Sequence, residues 1–242
     1  MITNILIITH LLMDFTFQSA KMAERKRTSF KYLLVHSFIY LIGYTIVCNL
    51  FMPARIACSA IAVLSVSHFI IDLIRQRVEL KVSNNTLRFL SFIADQVMHL
   101  TVIISVSFIF KLDIGGNCLY SLLLNYRNSD KIILYILLFV IVWDPASVFI
   151  KKMFCLVLNN GSYNSENDLK MGNLIGKLER VIICVLVLLN QYGVIGLVLT
   201  AKSIARFRQL EDKDFAEKYL VGTLISLTVA LVSTIMIKAY LR

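Results

Sequence analysis

Proline is almost missing from this chain, with two in 242 residues, and glycine is scarce at nine. So few turn-formers and helix-breakers argue against a loop-rich fold. Charge is thin as well. Asp, Glu, Lys and Arg make up 17% of the chain, where soluble domains carry about 25%. The five cysteines (Cys48, Cys58, Cys118, Cys155 and Cys184) contain no C-x-x-C pair. That spacing excludes a disulfide framework and a zinc–thiolate cluster, and leaves packed thiols. The N-terminus lacks a basic leader with a small-residue cleavage site, so no signal peptide is expected. Alternation of apolar and polar residues is absent from runs such as 132–143, IILYILLFVIVW, which removes a transmembrane β-barrel.

What remains is apolar. The chain is 58% hydrophobic with a mean hydropathy of +0.75. Runs of about 20 apolar residues, enough to cross a bilayer as helix, fall at 32–52, 55–74, 89–110, 132–150, 181–201 and 219–237. A shorter run at 2–18 ends in Asp14 and Gln18 and reads as a full span or a re-entrant helix. The expected fold is all-α: a polytopic transmembrane bundle of six or seven helices forming one integral-membrane domain over 1–242. Residues 151–180, with the polar centre NNGSYNSEND, read as a loop on the cytoplasmic side.

The net charge of +10 would suggest nucleic acid in a soluble protein. Here the basic residues flank the apolar runs, so lipid headgroups and topology account for them, and no nucleic-acid partner is expected. With seven spans, 16 Lys and Arg fall on one side and 9 on the other. The positive-inside rule then puts the 20–31, 75–88 and 151–180 links and the C-terminus in the cytoplasm.

All four histidines lie in these apolar runs. Three stand four residues from an aspartate: His10 with Asp14, His68 with Asp72, and Asp95 with His99; His36 is the fourth. A spacing of four is close to one helical turn, so each pair shares a helix face. At 1.5 Å rise per residue these pairs, His36 and Asp144 all fall in the same half of the bilayer. Ionisable groups at such depth face a bundle interior and mark ion sites or proton relays. Imidazole and carboxylate at this spacing present two metal ligands, or a ligand and the carboxylate that orients it. The candidate metal residues are therefore His10, Asp14, His36, His68, Asp72, Asp95 and His99. Oxygen and imidazole donors without thiolate suit zinc, with manganese or iron as alternatives.

The opening run His10-Leu11-Leu12-Met13-Asp14-Phe15-Thr16-Phe17-Gln18 resembles the H-L-L-x-D-F-x-x-Q start of an uncharacterised bacterial inner-membrane family, a domain of unknown function. The segments Ser67-His68-Phe69-Ile70-Ile71-Asp72, Asp95-Gln96-x-x-His99, Gly176-Lys177-Leu178-Glu179-Arg180, Ala201-Lys202-Ser203 and Tyr219-Leu220-Val221-Gly222-Thr223 fit the same pattern. That resemblance implies a multi-pass protein of the bacterial cytoplasmic membrane, and no activity. In motif style the helical His-x-x-x-Asp pairs are similar to bacterial membrane-bound metal-dependent hydrolases, regarded as relatives of zinc-dependent phospholipase C.

Three classes of function follow. In a metal-dependent hydrolase, the ion acidifies a bound water and a carboxylate takes its proton. Asp14 or Asp95 is the candidate base, the substrate is a lipid or other amphiphilic (phospho)ester, and Lys21, Arg25 and Lys26 lie near enough to attract a phosphate. In a transporter or proton-coupled channel, His and Asp form the ion path. A non-catalytic membrane partner with a polar core is the third reading, with Gly172-x-x-x-Gly176 as a helix-contact motif.

Overall fold

The computed structural model describes residues 1–82, 84–112, 117–157 and 166–241. Every regular element among them is helical. In chain order these are α1 (Ile2–Leu11), a π-helical turn (Leu12–Thr16), α2 (Ala20–Lys26), α3 (Phe30–Phe51), α4 (Ala54–Lys81), α5 (Asn85–Ile109), α6 (Cys118–Asn125), α7 (Ser129–Val157), α8 (Glu166–Leu188), α9 (Tyr192–Ala205), a 3₁₀ turn (Phe207–Glu211) and α10 (Lys213–Tyr240). Five of them, α3, α4, α5, α7 and α10, are long and apolar enough to cross a membrane. The helices outrun their apolar cores because backbone hydrogen bonding continues into the polar flanks; α4 ends in Arg75-Gln76-Arg77-Val78-Glu79-Leu80-Lys81. The protein is an all-α membrane helical bundle.

Two compact units make up the chain, residues 1–137 and 138–242. In the first, α3 packs along α4 and α4 along α5, while α1 leans on α3 and α5. The α1 helix and its π turn cover 15 residues, about 22 Å at 1.5 Å per residue, which is short of the roughly 30 Å hydrocarbon layer. One end of this unit is a dry core of Ile2, Leu6, Cys48, Met52, Ala57, Leu112 and Tyr120. Asn117 caps α6 and donates to the carbonyls of Asn49 and Leu50, tying α6 across the end of α3. The other end carries the polar residues.

The outer face is the inverse of a soluble protein's. Phe38 is 61% exposed and Phe108 79% exposed, whereas His10, His36, His68, Asp72, Asp95 and His99 are buried. Apolar surface on this scale, around a polar interior, fits hydrocarbon as the solvent.

In the second unit the stretch 181–201 is divided, where a single span was expected. Helix α8 ends at Leu188, Asn190 takes a left-handed φ of 61°, and α9 turns back. Asparagine tolerates that backbone region better than most residues, and the Leu189-Asn190-Gln191 break interrupts the apolar run. Lys238 on α10 donates to the Val187 carbonyl and to Asn190 Oδ1, and Lys202 on α9 reaches Glu179 of α8 and Thr223 of α10. Thus α8 and α10 run parallel, with the shorter α9 antiparallel between their ends. The 206–212 link then lies at the α8 N-terminal end and the C-terminus at the 189–191 turn. Within the first unit 9 Lys and Arg lie towards the end that carries Lys26 and 4 towards the other; within the second, among the described residues, 10 lie towards the α8 N-terminal end and only Lys238 towards the 189–191 turn. Of the segment 151–180, residues 151–157 and 166–180 are helical. Its centre at 158–165, and Gly115-Gly116, lie outside the described residues.

Candidate metal centre in the first unit

Asp14 sits inside the π turn, where the Phe17 N–H bonds the Leu12 carbonyl at 2.8 Å. A π turn widens the helix and swings its residues relative to an α register, which is why such turns recur at functional sites. His10 and Asp14 leave this segment on the face towards α3 and α5. His36 stands in the second turn of α3, His68 and Asp72 in the C-terminal half of α4, and Asp95 and His99 on either side of the middle of α5. Because α3, α4 and α5 alternate in direction, those positions meet at one level.

The four imidazoles form a contiguous group. Ring centroids are 4.3 Å apart for His68 and His99, 5.0 Å for His10 and His99, and 5.3 Å for His36 and His68. The His68 ring also stacks on Tyr40, 3.4 Å between centroids. All seven residues singled out in the sequence are therefore brought together.

Their hydrogen bonds divide them by role. The Tyr40 hydroxyl lies 2.7 Å from His10 Nδ1, and His10 Nε2 faces Gln96 Oε1 at 3.3 Å. Gln96 Nε2 in turn donates to Asp14 Oδ2 at 2.8 Å and to Asp95 Oδ2 at 3.1 Å, so its oxygen accepts from His10. With both ring nitrogens engaged, His10 forms the wall. His36 has the free nitrogen instead: Nδ1 meets Gln18 Nε2 at 3.3 Å, and Nε2 has no hydrogen-bond partner. With the Gln18 amide turned over, its oxygen accepts from Nδ1–H and the Nε2 lone pair faces the carboxylates.

His99 is the clearest case. Its Nδ1–H donates to the Asp95 carbonyl at 2.8 Å, which fixes the tautomer, and leaves a buried Nε2 lone pair without a partner. This is how proteins commonly hold a metal-ligating imidazole. Both nitrogens of His68, Asp95 Oδ1, His36 Nε2 and His99 Nε2 are buried and unpartnered, five of the seven such atoms among the described residues. Buried polar atoms are nearly always satisfied, so this concentration points to a bound group.

The spacings suit a metal. His36 Nε2 lies 3.2 Å from Asp14 Oδ1 and 3.4 Å from Asp72 Oδ2, without hydrogen-bond alignment. Donors on a tetrahedral ion with bonds of about 2.05 Å stand about 3.3 Å apart. His68 Nδ1 is 3.7 Å from Asp72 Oδ2. Two trios, Asp14–His36–His68 and His68–Asp72–His99, each place their donor atoms within 4.8 Å of one another.

Cations close the polar end. Lys26, on the last turn of α2, donates to both Asp72 oxygens at 3.1 and 3.0 Å and lies 4.0 Å from Asp14 Oδ1. Arg75 donates to Asp95 Oδ2 at 2.7 Å and to Glu79. Arg27 pairs with Glu79, and Gln76 holds the Lys26 carbonyl. Of the basic run 21–26, only Lys26 reaches the site; Lys21 is exposed and Arg25 bonds Tyr32. Sequence reasoning missed Tyr40, Gln96 and Arg75 as members. Each carried a signal, since Tyr40 is one turn beyond His36, Gln96 adjoins Asp95, and Arg75 lies three residues after Asp72.

No curated protein and no solved structure matches this chain. Residues 2–122, half of the chain and the half that carries the whole His/Asp cluster, match the model of a family described as protein of unknown function (DUF3307), and the chain belongs to that family.

Proposed function

We propose that this protein is a metal-dependent hydrolase of the bacterial cytoplasmic membrane, acting on a lipid or another amphiphilic phosphoester from a His/Asp centre near the cytoplasmic face. The observation that carries this reading is His99, oriented through Nδ1 with its Nε2 lone pair buried beside His68 and Asp72. Sidedness rests on the excess of Lys and Arg at the Lys26 end of the first unit, 9 against 4.

Asp14, His36, His68, Asp72 and His99 would hold the ion, zinc by donor chemistry, with manganese or iron as alternatives. A divalent ion in such a site supplies an acidified water and polarises a phosphoryl oxygen. Asp95 is the better base of the two carboxylates proposed. Its Oδ1 is buried without a donor while Oδ2 is fixed by Arg75 and Gln96, so one oxygen is steady and the other free to take a proton. Asp14 falls in a ligand trio. His10 and Gln96 hold Asp14 and Asp95 in register, and Tyr40 buttresses the His68 ring. Lys26 and Arg75 stand where a phosphoryl oxygen would need countercharge.

The test is hydrolysis of phospholipid in mixed micelles by the detergent-purified chain, with zinc and with chelator. Zinc-dependent turnover that Asp95→Asn abolishes while metal content is retained supports the reading. Turnover absent in the zinc-loaded wild type, beside zinc-dependent ion flux in liposomes, would replace it with a transport role.

A further inference from the structure

His68 is common to both donor trios, and a single ion cannot account for it. Its ring is 2% exposed, and neither Nδ1 nor Nε2 has a hydrogen-bond partner. A neutral imidazole carries one N–H and one lone pair, and the two nitrogens point away from each other in the ring plane. An ion bound at one is therefore out of reach of the other. The second nitrogen would stay buried and unsatisfied, which proteins rarely tolerate.

The ring is held in place by Tyr40, stacked on one face with 3.4 Å between centroids. Its partners fall into two sets. Asp14 and His36, with donor atoms 3.2 Å apart, make one trio with it. Asp72 and His99 make the other, with Asp72 Oδ2 3.7 Å from His68 Nδ1. Each set offers one carboxylate and one imidazole whose Nε2 is buried and unpartnered. An ion drawn instead among Asp14, His36, Asp72 and Nδ1 of His68 would still leave His99 Nε2 and His68 Nε2 without partners, on rings 4.3 Å apart. One ammonium, Lys26, faces both carboxylates, so the pair keeps a net negative charge that favours further cations.

We propose that the centre is binuclear: two divalent ions bridged by the His68 ring, one nitrogen on each. The first ion takes the lone pair of neutral His68. The second takes the other nitrogen in place of its proton, which leaves to the solution, so the ring becomes an imidazolate. With metal–nitrogen bonds of about 2.05 Å on both edges, the ions stand about 6 Å apart. The proposal rests on the metal-centre reading and deepens it, because two ions give a phosphoryl group two points of positive charge.

The test counts ions in the full detergent-purified chain carrying Cys58→Ser, Cys118→Ser and Cys155→Ser, since those thiols are exposed and would take metal. After zinc loading and desalting, elemental mass spectrometry should find about two ions per chain, and His99→Ala should halve that to about one. Copper(II), which imidazole sites also accept, should give a chain whose isolated-ion electron paramagnetic resonance signal is lost at low temperature through coupling across the ring. His99→Ala should regain that signal. One ion per chain in the parent would overturn the bridge, assign the second nitrogen of His68 to a water, and leave the metal-centre reading standing. Two ions with isolated copper signals would overturn the shared ligand. No bound ion would overturn both readings.

Discussion

Replacing His68 with alanine separates a metal ligand from a packing residue by its effect in two conditions. Without metal, two opposing effects act. Losing a buried ring stacked at 3.4 Å on Tyr40 costs about 3 kcal/mol by analogy with large aromatic truncations. Removing two buried, unpartnered nitrogens returns about 1–3 kcal/mol each. The metal-free variant should therefore fall between about 1 kcal/mol less stable and about 3 kcal/mol more stable than wild type. With metal, the variant also loses a donor shared by both trios. Even outer-sphere partners are worth about 10–100-fold in affinity, so a loss of about 100-fold, roughly 2.7 kcal/mol, is a lower bound. At about 2–4 °C per kcal/mol for a chain of this size, the zinc-induced rise in midpoint should shrink by about 5–10 °C. The assay is thermal unfolding in detergent with zinc and with chelator, run beside His10→Asn. Because both His10 nitrogens are already bonded, that variant should keep most of the zinc shift. Equal zinc shifts in wild type and His68→Ala would refute the ligand role.

Lys26→Met leaves Asp14 and Asp72 without their cation, so the chelated protein should lose about 3–5 kcal/mol and regain most of it with zinc; unchanged stability in chelator would contradict the buried pairing. Gly43→Leu should displace Met13, whose Cε lies 2.7 Å from where a Cβ would stand, and with it the π turn that carries Asp14. Weakened zinc binding with helix content intact is the expected readout. A C-terminal alkaline phosphatase fusion should be active and a C-terminal green fluorescent protein fusion dark, because the turn at 189–191 returns the last helix end to the less basic side. The reverse pattern would restore an unbroken span over 181–201.

The long helices were readable because hydropathy and length suffice to mark them: the apolar runs at 32–52, 55–74, 89–110, 132–150 and 219–237 each fall inside one of them or pass its end by a single residue. The break at Asn190 was not, since one polar dipeptide in an apolar run does not reveal a left-handed backbone. The short helices α2 and α6 fall in links where hydropathy says nothing, and only their caps, Ser19 and Asn117, mark them. In the site, the spacing of four between His and Asp exposed the pairs, and alternating helix direction put them at one depth. Which imidazole keeps a free nitrogen depends on partners from other helices. Tyr40 and Gln96 take both nitrogens of His10, and the Asp95 carbonyl takes only one of His99, a distinction no single helix encodes.

The most direct measurement is the metal content of the detergent-purified chain by elemental mass spectrometry, wild type beside His68→Ala and His99→Ala. A resident metal centre predicts at least about one ion per chain in the wild type, consistent with two donor trios that share His68, and a sharp fall in both variants. Wild-type protein that carries no more metal than either variant, after zinc loading and desalting, would contradict it and leave the four histidines as a hydrogen-bonded core.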